Sequence, residues 1–190
     1  MRKTAPRFAA CVSALAAWAG SATAQESEAF SASQSFDFLG FRTTILLTGA
    51  ETGNSSALLD ARIPANAGPK PHIHTREDEV YLIRRGTFQF FMDGICLQVG
   101  PGATLYLPKK HMHTFRNITQ QPGEVLLFVY PAGLEQYFRE VHELGLKMPQ
   151  DTNKLNELSE SKYGITYRPG YDFHAGTCTE VTASGAAAKK

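Results

Sequence analysis

The chain has 190 residues, with 19 Lys and Arg against 18 Asp and Glu and a formal net charge of +1. A near-neutral balance without a basic run excludes an electrostatic footprint for nucleic acid or an acidic membrane surface, and leaves small molecules as the expected partners. The length suits one domain with room for a real core.

Arg2, Lys3 and Arg7 precede an apolar run from Phe8 to about Gly20, followed by Ala22-Thr23-Ala24. This is the pattern of a cleavable secretory signal peptide over residues 1–24, cut after Ala24. The run is short for a membrane span, which needs about 20 residues. A secreted or periplasmic protein with no membrane span after cleavage is the expectation. Removal takes three basic residues and no acidic one, so the remainder is slightly acidic. Cys11 leaves with the signal, and Cys96 and Cys178 remain where disulfides persist. A bridge between them is open, although Cys96 lies in a strand-like segment and reads more simply as a small buried hydrophobe.

Residues 25–40, rich in Ser and Glu with scattered Phe, read as an N-terminal arm. From Phe41 short apolar segments follow one another at 41–48, 57–63, 72–74, 79–84, 87–92, 95–99, 103–107, 113–117 and 124–130. Gly, Pro, Asn and Asp punctuate them, as in an all-β sandwich or small barrel. Asp93-Gly94 marks a tight hairpin. The segment 41–48 is a candidate edge strand through which a homodimer could form. After Pro131, Leu134, Tyr137, Phe138, Val141 and Leu144 fall at helical spacing. Asp151-Thr152 begins a second short helix to about Ser161, which Gly164 ends. Residues 132–165 thus form a C-terminal helical segment and 166–190 an irregular tail.

His72 and His74 stand two apart in a strand and share a face. Glu79 opens the next apolar strand, and an antiparallel return beside the histidines would aim its carboxylate at them. His113 begins a later strand. Mixed imidazole and carboxylate ligation suits a divalent transition metal (Fe, Mn, Ni, Cu or Zn) rather than calcium or magnesium. Glu77 and Asp78 read as surface carboxylates. His111 sits in a turn, and His142 and His174 have no spacing partner. If Glu79 and His113 face inward, so do Tyr81 and Phe115. With Phe90 and Met92 on one strand face and Phe128 and Tyr130 on another, these give a possible substrate cavity, or simply the filling of a small barrel. Asn54 and Asn117 each open an N-glycosylation triplet, of which Asn117 reads better as structural.

The stretch from His72-Ile73-His74 through Glu79 to Gly86 resembles the first cupin motif, and that from Gly102 through Pro108 and His113 to Asn117 resembles the second. Two departures stand at turns, where Asn66 and Lys110 occupy positions of motif glycines. The resemblance implies an all-β, single double-stranded β-helix (jelly-roll) barrel over 41–131 with one or two C-terminal helices, and a metal on His72, His74, Glu79 and His113. Pro71 through Gly86 and Pro131-Ala132-Gly133-Leu134-Glu135 resemble quercetin 2,3-dioxygenase-type cupins. That implies a dioxygenase acting on a small phenolic or enol compound, with Glu79 also the catalytic base. A non-oxidative isomerase, epimerase, lyase or cyclase on the same site, or a non-catalytic metal or ligand binder, remain alternatives.

Overall fold

The computed structural model describes residues 34–168, 170 and 178–181. The expected signal peptide, most of the arm, His174 and the last residues of the tail lie outside these.

Alternation along the strands builds the barrel. Inward residues Ala57, Leu59, Ala61 and Ile63 of β3 (Ala57–Ile63) are buried, as are Val125, Leu127 and Val129 of β10 (Gly123–Tyr130). Polar or exposed residues such as Asp60 and Arg62 point out of the sheet. The first sheet runs β1 (Gln34–Phe38), β2 (Phe41–Leu47), β3, β10, β5 (Asp78–Arg85), β8 (Thr104–Leu107). The second runs β11 (Ile165–Tyr167), β4 (His72–His74), β9 (Met112–Asn117), β6 (Phe88–Met92), β7 (Ile95–Val99), β12 (Thr179–Val181). Between them lies one core including Leu59, Ile83, Phe88, Phe90 and Phe115. Each such fully buried side chain stabilises the fold by roughly 1.5–3 kcal/mol through transfer from water. This is the expected all-β jelly-roll barrel with C-terminal helices.

The turns explain how the motif departures are tolerated. Asn66 (φ 56°) and Lys110 (φ 69°) both adopt the left-handed conformation for which glycine is the usual choice. Gly68 supplies the close approach instead, since a Cβ there would lie 1.8 Å from the Phe115 carbonyl oxygen. Asp93 (φ 47°) and Gly94 (φ 86°) make the β6–β7 hairpin with both central residues left-handed. Asn117 is fully buried, its amide donating to the carbonyls of Ile63, Pro64 and Gln121, a structural role.

Several boundaries differ from expectation. The arm ends in β1, which pairs with β2 from Gln34↔Ile45 to Phe38↔Phe41, so 41–47 is an inner strand and no edge. The tail contributes β11, beside β4, and β12, parallel to β7. Cys96 is bridged to Cys178, which ties β7 to the start of β12. Cys96 is half-buried and cross-linked, not a packed thiol. These pairings join residues about 80 to 95 apart, and no local pattern announces them.

Helix α1 (Leu134–Glu143) buries Leu134, Tyr137 and Val141, with Phe138 stacked on Phe38 at 3.8 Å between centroids. Leu144 lies just past the helix and is exposed, because the chain turns there and leaves the stripe. Helix α2 (Thr152–Leu158) continues into a π-helical turn, Ser159–Tyr163, closed by left-handed Gly164. Among the described residues no helix is long and apolar enough to cross a membrane.

Candidate metal centre

The candidate ligands converge from both sheets. His72 and His74 lie on one face of β4, and His113 of β9 is directly opposite His72 in register. Glu79 comes from β5 in the other sheet and reaches across the barrel interior. The expected antiparallel return beside β4 is not made: β4 pairs with β9 and β11, and β5 with β10 and β8. The carboxylate arrives face to face instead of strand to strand. One ligand atom from each of the four residues lies within 4.8 Å of the others, and all four side chains are buried.

Two of the imidazoles are hydrogen-bonded through Nδ1, and the third faces a carboxylate with its Nδ1. That of His72 is 2.7 Å from the Lys70 carbonyl, that of His113 is 3.1 Å from the His111 carbonyl, and that of His74 is 3.5 Å from Glu77 Oε2. Nε2 is thereby left to face the centre: His113 Nε2 lies 2.8 Å from Glu79 Oε2 and His74 Nε2 lies 3.7 Å from Glu79 Oε1. Carbonyl and carboxylate partners on the outer nitrogen fix tautomer and ring direction in metal-binding histidines. Glu79 Oε2 and His113 Nε2 are buried without a hydrogen bond of proper geometry, which is costly unless a cation draws on both. Three neutral nitrogen donors and one carboxylate fit a divalent transition metal, with coordination positions left for other ligands.

Burial opposes ionisation of Glu79, but the imidazoles of His74, His113 and His72 outweigh it and hold its carboxyl down at about 2. Burial, then the neighbouring His113 and His74, push His72 well below the usual imidazole range. For His74 burial pulls the same way, yet Glu79 and Glu77 overcome it and raise the ring. Tyr81 donates to Glu79 Oε1 at 3.2 Å, and burial and that carboxylate push its hydroxyl pKa well up.

The cluster borders an interior cavity whose lining includes Tyr81 and Phe115, together with Phe41, Ile63, Leu127 and Tyr167. The other expected cavity residues lie elsewhere. Phe90 is buried behind the lining, 5.3 Å from Tyr81 and 5.2 Å from Phe115 between centroids, because β6 lies beyond β9 from β4. Met92, at the end of β6, is only partly buried and does not line it. Phe128 and Tyr130 stack on the outer face of the first sheet, since the inward parity of β10 belongs to Val125, Leu127 and Val129.

Glu77 is not a surface carboxylate: it is 2% exposed and packed against His74. The signal was present, for Glu77 stands two before Glu79 and shares its parity. Asp78 is partly buried and accepts from the Lys109 amide at 2.8 Å. Tyr137 and Tyr167, whose hydroxyls are 3.4 Å apart, were also missed. Tyr167 is brought beside His72, 5.7 Å between centroids, by the β11–β4 pairing. His111 is exposed and paired with Asp93, and His142 Nδ1 is 3.1 Å from the Asp37 carbonyl.

Comparison with known proteins agrees with this architecture. Residues 60–130 match the cupin domain family. An uncharacterised protein of Methanocaldococcus jannaschii is 30% identical over 79 residues, 42% of this chain. The chain spans 63% of that relative's length. Among solved structures, KdgF from Halomonas sp. is 18% identical, covering 56% of this chain and 91% of that one, with a TM-score of 0.48. A predicted oxalate decarboxylase from Thermotoga maritima is 17% identical, covering 52% and 91%, also at 0.48. The family match lies across both motifs in order, and it identifies residues 60–130 as a cupin domain.

Proposed function

We propose that the protein is a metal-dependent dioxygenase of the quercetinase-like type acting on a small phenolic or enol compound. The observation that carries this reading is the cavity beside the cluster: among the described residues, apart from His72, His74 and Glu79 themselves, no ionisable residue but tyrosine lines it. Apart from the metal itself, a phosphorylated or polycarboxylate substrate would meet no cationic partner among the other lining residues, and charge beyond what the metal pairs would be buried uncompensated. A neutral planar compound with adjacent oxygens is compatible with both the apolar walls and the ligand cluster.

A divalent transition metal (Fe, Mn, Ni, Cu or Zn) on His72, His74, Glu79 and His113 would supply Lewis-acid chemistry to an oxygen-bearing substrate and, for any of them but Zn, redox chemistry as well. The protein's own contribution is position and proton handling. Glu79 is ionised at neutral pH, the state needed of a ligand and of an acceptor for a substrate hydroxyl proton. Tyr81 holds Glu79 Oε1 from one side, and the apolar lining limits water near the reacting atoms. As part of the same proposal the protein works in a secreted or periplasmic compartment. The basic and apolar pattern up to Ala24 and the Cys96–Cys178 bridge support this.

Elemental analysis followed by oxygen uptake with flavonols, catechols and β-diketones tests the proposal. Stoichiometric metal with substrate-dependent oxygen consumption is the expected result. Bound metal with substrate turnover but no oxygen uptake would replace it with isomerase, lyase or cyclase chemistry at the same residues.

A further inference from the structure

The cavity that touches the ligand cluster measures about 50 Å³. That is on the order of one or two water volumes, too little for the body of any aromatic substrate. A second chamber of about 430 Å³ adjoins it, and the two share Phe38, Phe41, Pro69, Tyr137 and Tyr167 as walls. Its size falls in the range of about 300–1,000 Å³ typical of small-ligand sites.

The C-terminal helical segment makes the outer wall of this chamber, through Met148, Pro149 and, from α2, Thr152, Leu155 and Asn156. The loop before β4, Ala67 to Lys70, makes the opposite side. Met148 is 40% exposed and Lys70 is exposed, so the rim meets solvent, while Tyr137 is fully buried at the inner end. Among the described residues Lys70 is the only charged one in the lining. Tyr137 and Tyr167 stand in the shared wall with their hydroxyls 3.4 Å apart, and Tyr167 is the residue of the pair that packs on His72.

We propose that the outer chamber binds an apolar, ring-bearing body of the substrate, whose oxygen-bearing head extends past the Tyr137–Tyr167 pair to the ligand cluster. This rests on the metal-dependent function proposed above and adds a substrate class to it: a compact chelating head joined to a hydrophobic ring. The volumes decide the division, since only the outer chamber accommodates a ring. Inside the rim, where Lys70 stands, no charged side chain among the described residues lines the chamber, which disfavours a sugar phosphate or nucleotide body, and the two hydroxyls offer hydrogen bonds to the oxygens of the head. Tyr137 and Tyr167 are assigned as positioning residues.

The test uses Zn²⁺-loaded protein titrated calorimetrically with two chelating heads, acetohydroxamate, which has no ring, and benzohydroxamate, which adds one. The added ring should tighten binding at least about tenfold through the apolar area it buries. Ala67→Trp, which fills the chamber without touching a ligand residue, should remove that advantage and leave acetohydroxamate binding unchanged. Asn156→Phe on the opposite wall serves the same purpose should Ala67→Trp fail to fold. In metal-free protein, 8-anilinonaphthalene-1-sulfonate should fluoresce with wild type and not with either filled variant. Equal affinity of the two hydroxamates for wild type would overturn the proposal, as would a ring advantage that survives both filled variants. Failure of the metal-centre reading shows separately, as absence of stoichiometric zinc uptake.

Discussion

Glu77 Oε2 lies 3.5 Å from Nδ1 of His74, both side chains almost fully buried, so an acidic residue stands behind a ring whose other nitrogen faces Glu79. Carboxylate partners of this kind raise ligand basicity and fix the tautomer, and their loss typically costs about 10–100-fold in metal affinity. Glu77→Gln should therefore fold normally but bind Zn²⁺ about 10–100-fold more weakly in a chelator competition. An unchanged dissociation constant would reduce Glu77 to a packing residue.

Much of this architecture is legible without coordinates. The nine apolar segments between 41 and 130 recur as β2 to β10 with ends displaced by no more than one residue, because punctuation by turn residues and period-two alternation are local properties. Failures fall where information is not local. Cys178, Tyr167 and β12 reach the barrel through pairings with distant strands. Phe128 was misplaced because β10 carries apolar residues on both faces, Leu126, Phe128 and Tyr130 outward and Val125, Leu127 and Val129 inward, so alternation cannot choose between them. Glu77 was misread for a different reason: acidic residues in a turn are usually solvated, and its buried environment is supplied partly by Gly133, whose absent side chain leaves room for it.

Lys110 holds a left-handed φ of 69° while its amide donates to the His74 carbonyl at 2.6 Å. A non-glycine residue in that conformation costs about 1–2 kcal/mol, partly offset when glycine replaces it because the unfolded chain gains freedom. Lys110→Gly should stabilise the protein by about 0.5–1 kcal/mol in urea unfolding. Asn66→Gly should change little, since asparagine tolerates this region well. A destabilised Lys110→Gly would show that its side chain contributes more than the backbone costs.

The Cys96–Cys178 bridge closes a chain separation of 82 residues. Restricting the unfolded chain over that length is worth about 2–4 kcal/mol. Cys96→Ala with Cys178→Ala should lower stability by that amount in non-reducing buffer, and a thiol reductant should destabilise wild type toward the same midpoint. Identical midpoints for wild type and double variant without reductant would mean that the bridge contributes no net stability.

Glu140 on α1 accepts two hydrogen bonds from Lys162 Nζ, at 2.9 and 2.7 Å, and one from the Tyr163 hydroxyl. These fasten the turn after α2, and hence the outer wall of the large chamber, to α1. The Lys162 and Tyr163 hydrogen bonds hold the Glu140 carboxyl below its ordinary value against a smaller opposing effect of burial. A carboxylate depressed on folding stabilises above its unfolded pKa, about 4.3, and that contribution is lost as pH falls through the lower folded value. Wild type should therefore melt at a higher temperature than Glu140→Gln at pH 7. The difference should begin to shrink near pH 4.3 and disappear below the folded pKa, as measured by parallel thermal melts. A difference that is the same at pH 7 and pH 3 would assign Glu140 a role in packing alone, because a neutral carboxyl and a carboxamide would then be as unequal as the ionised pair.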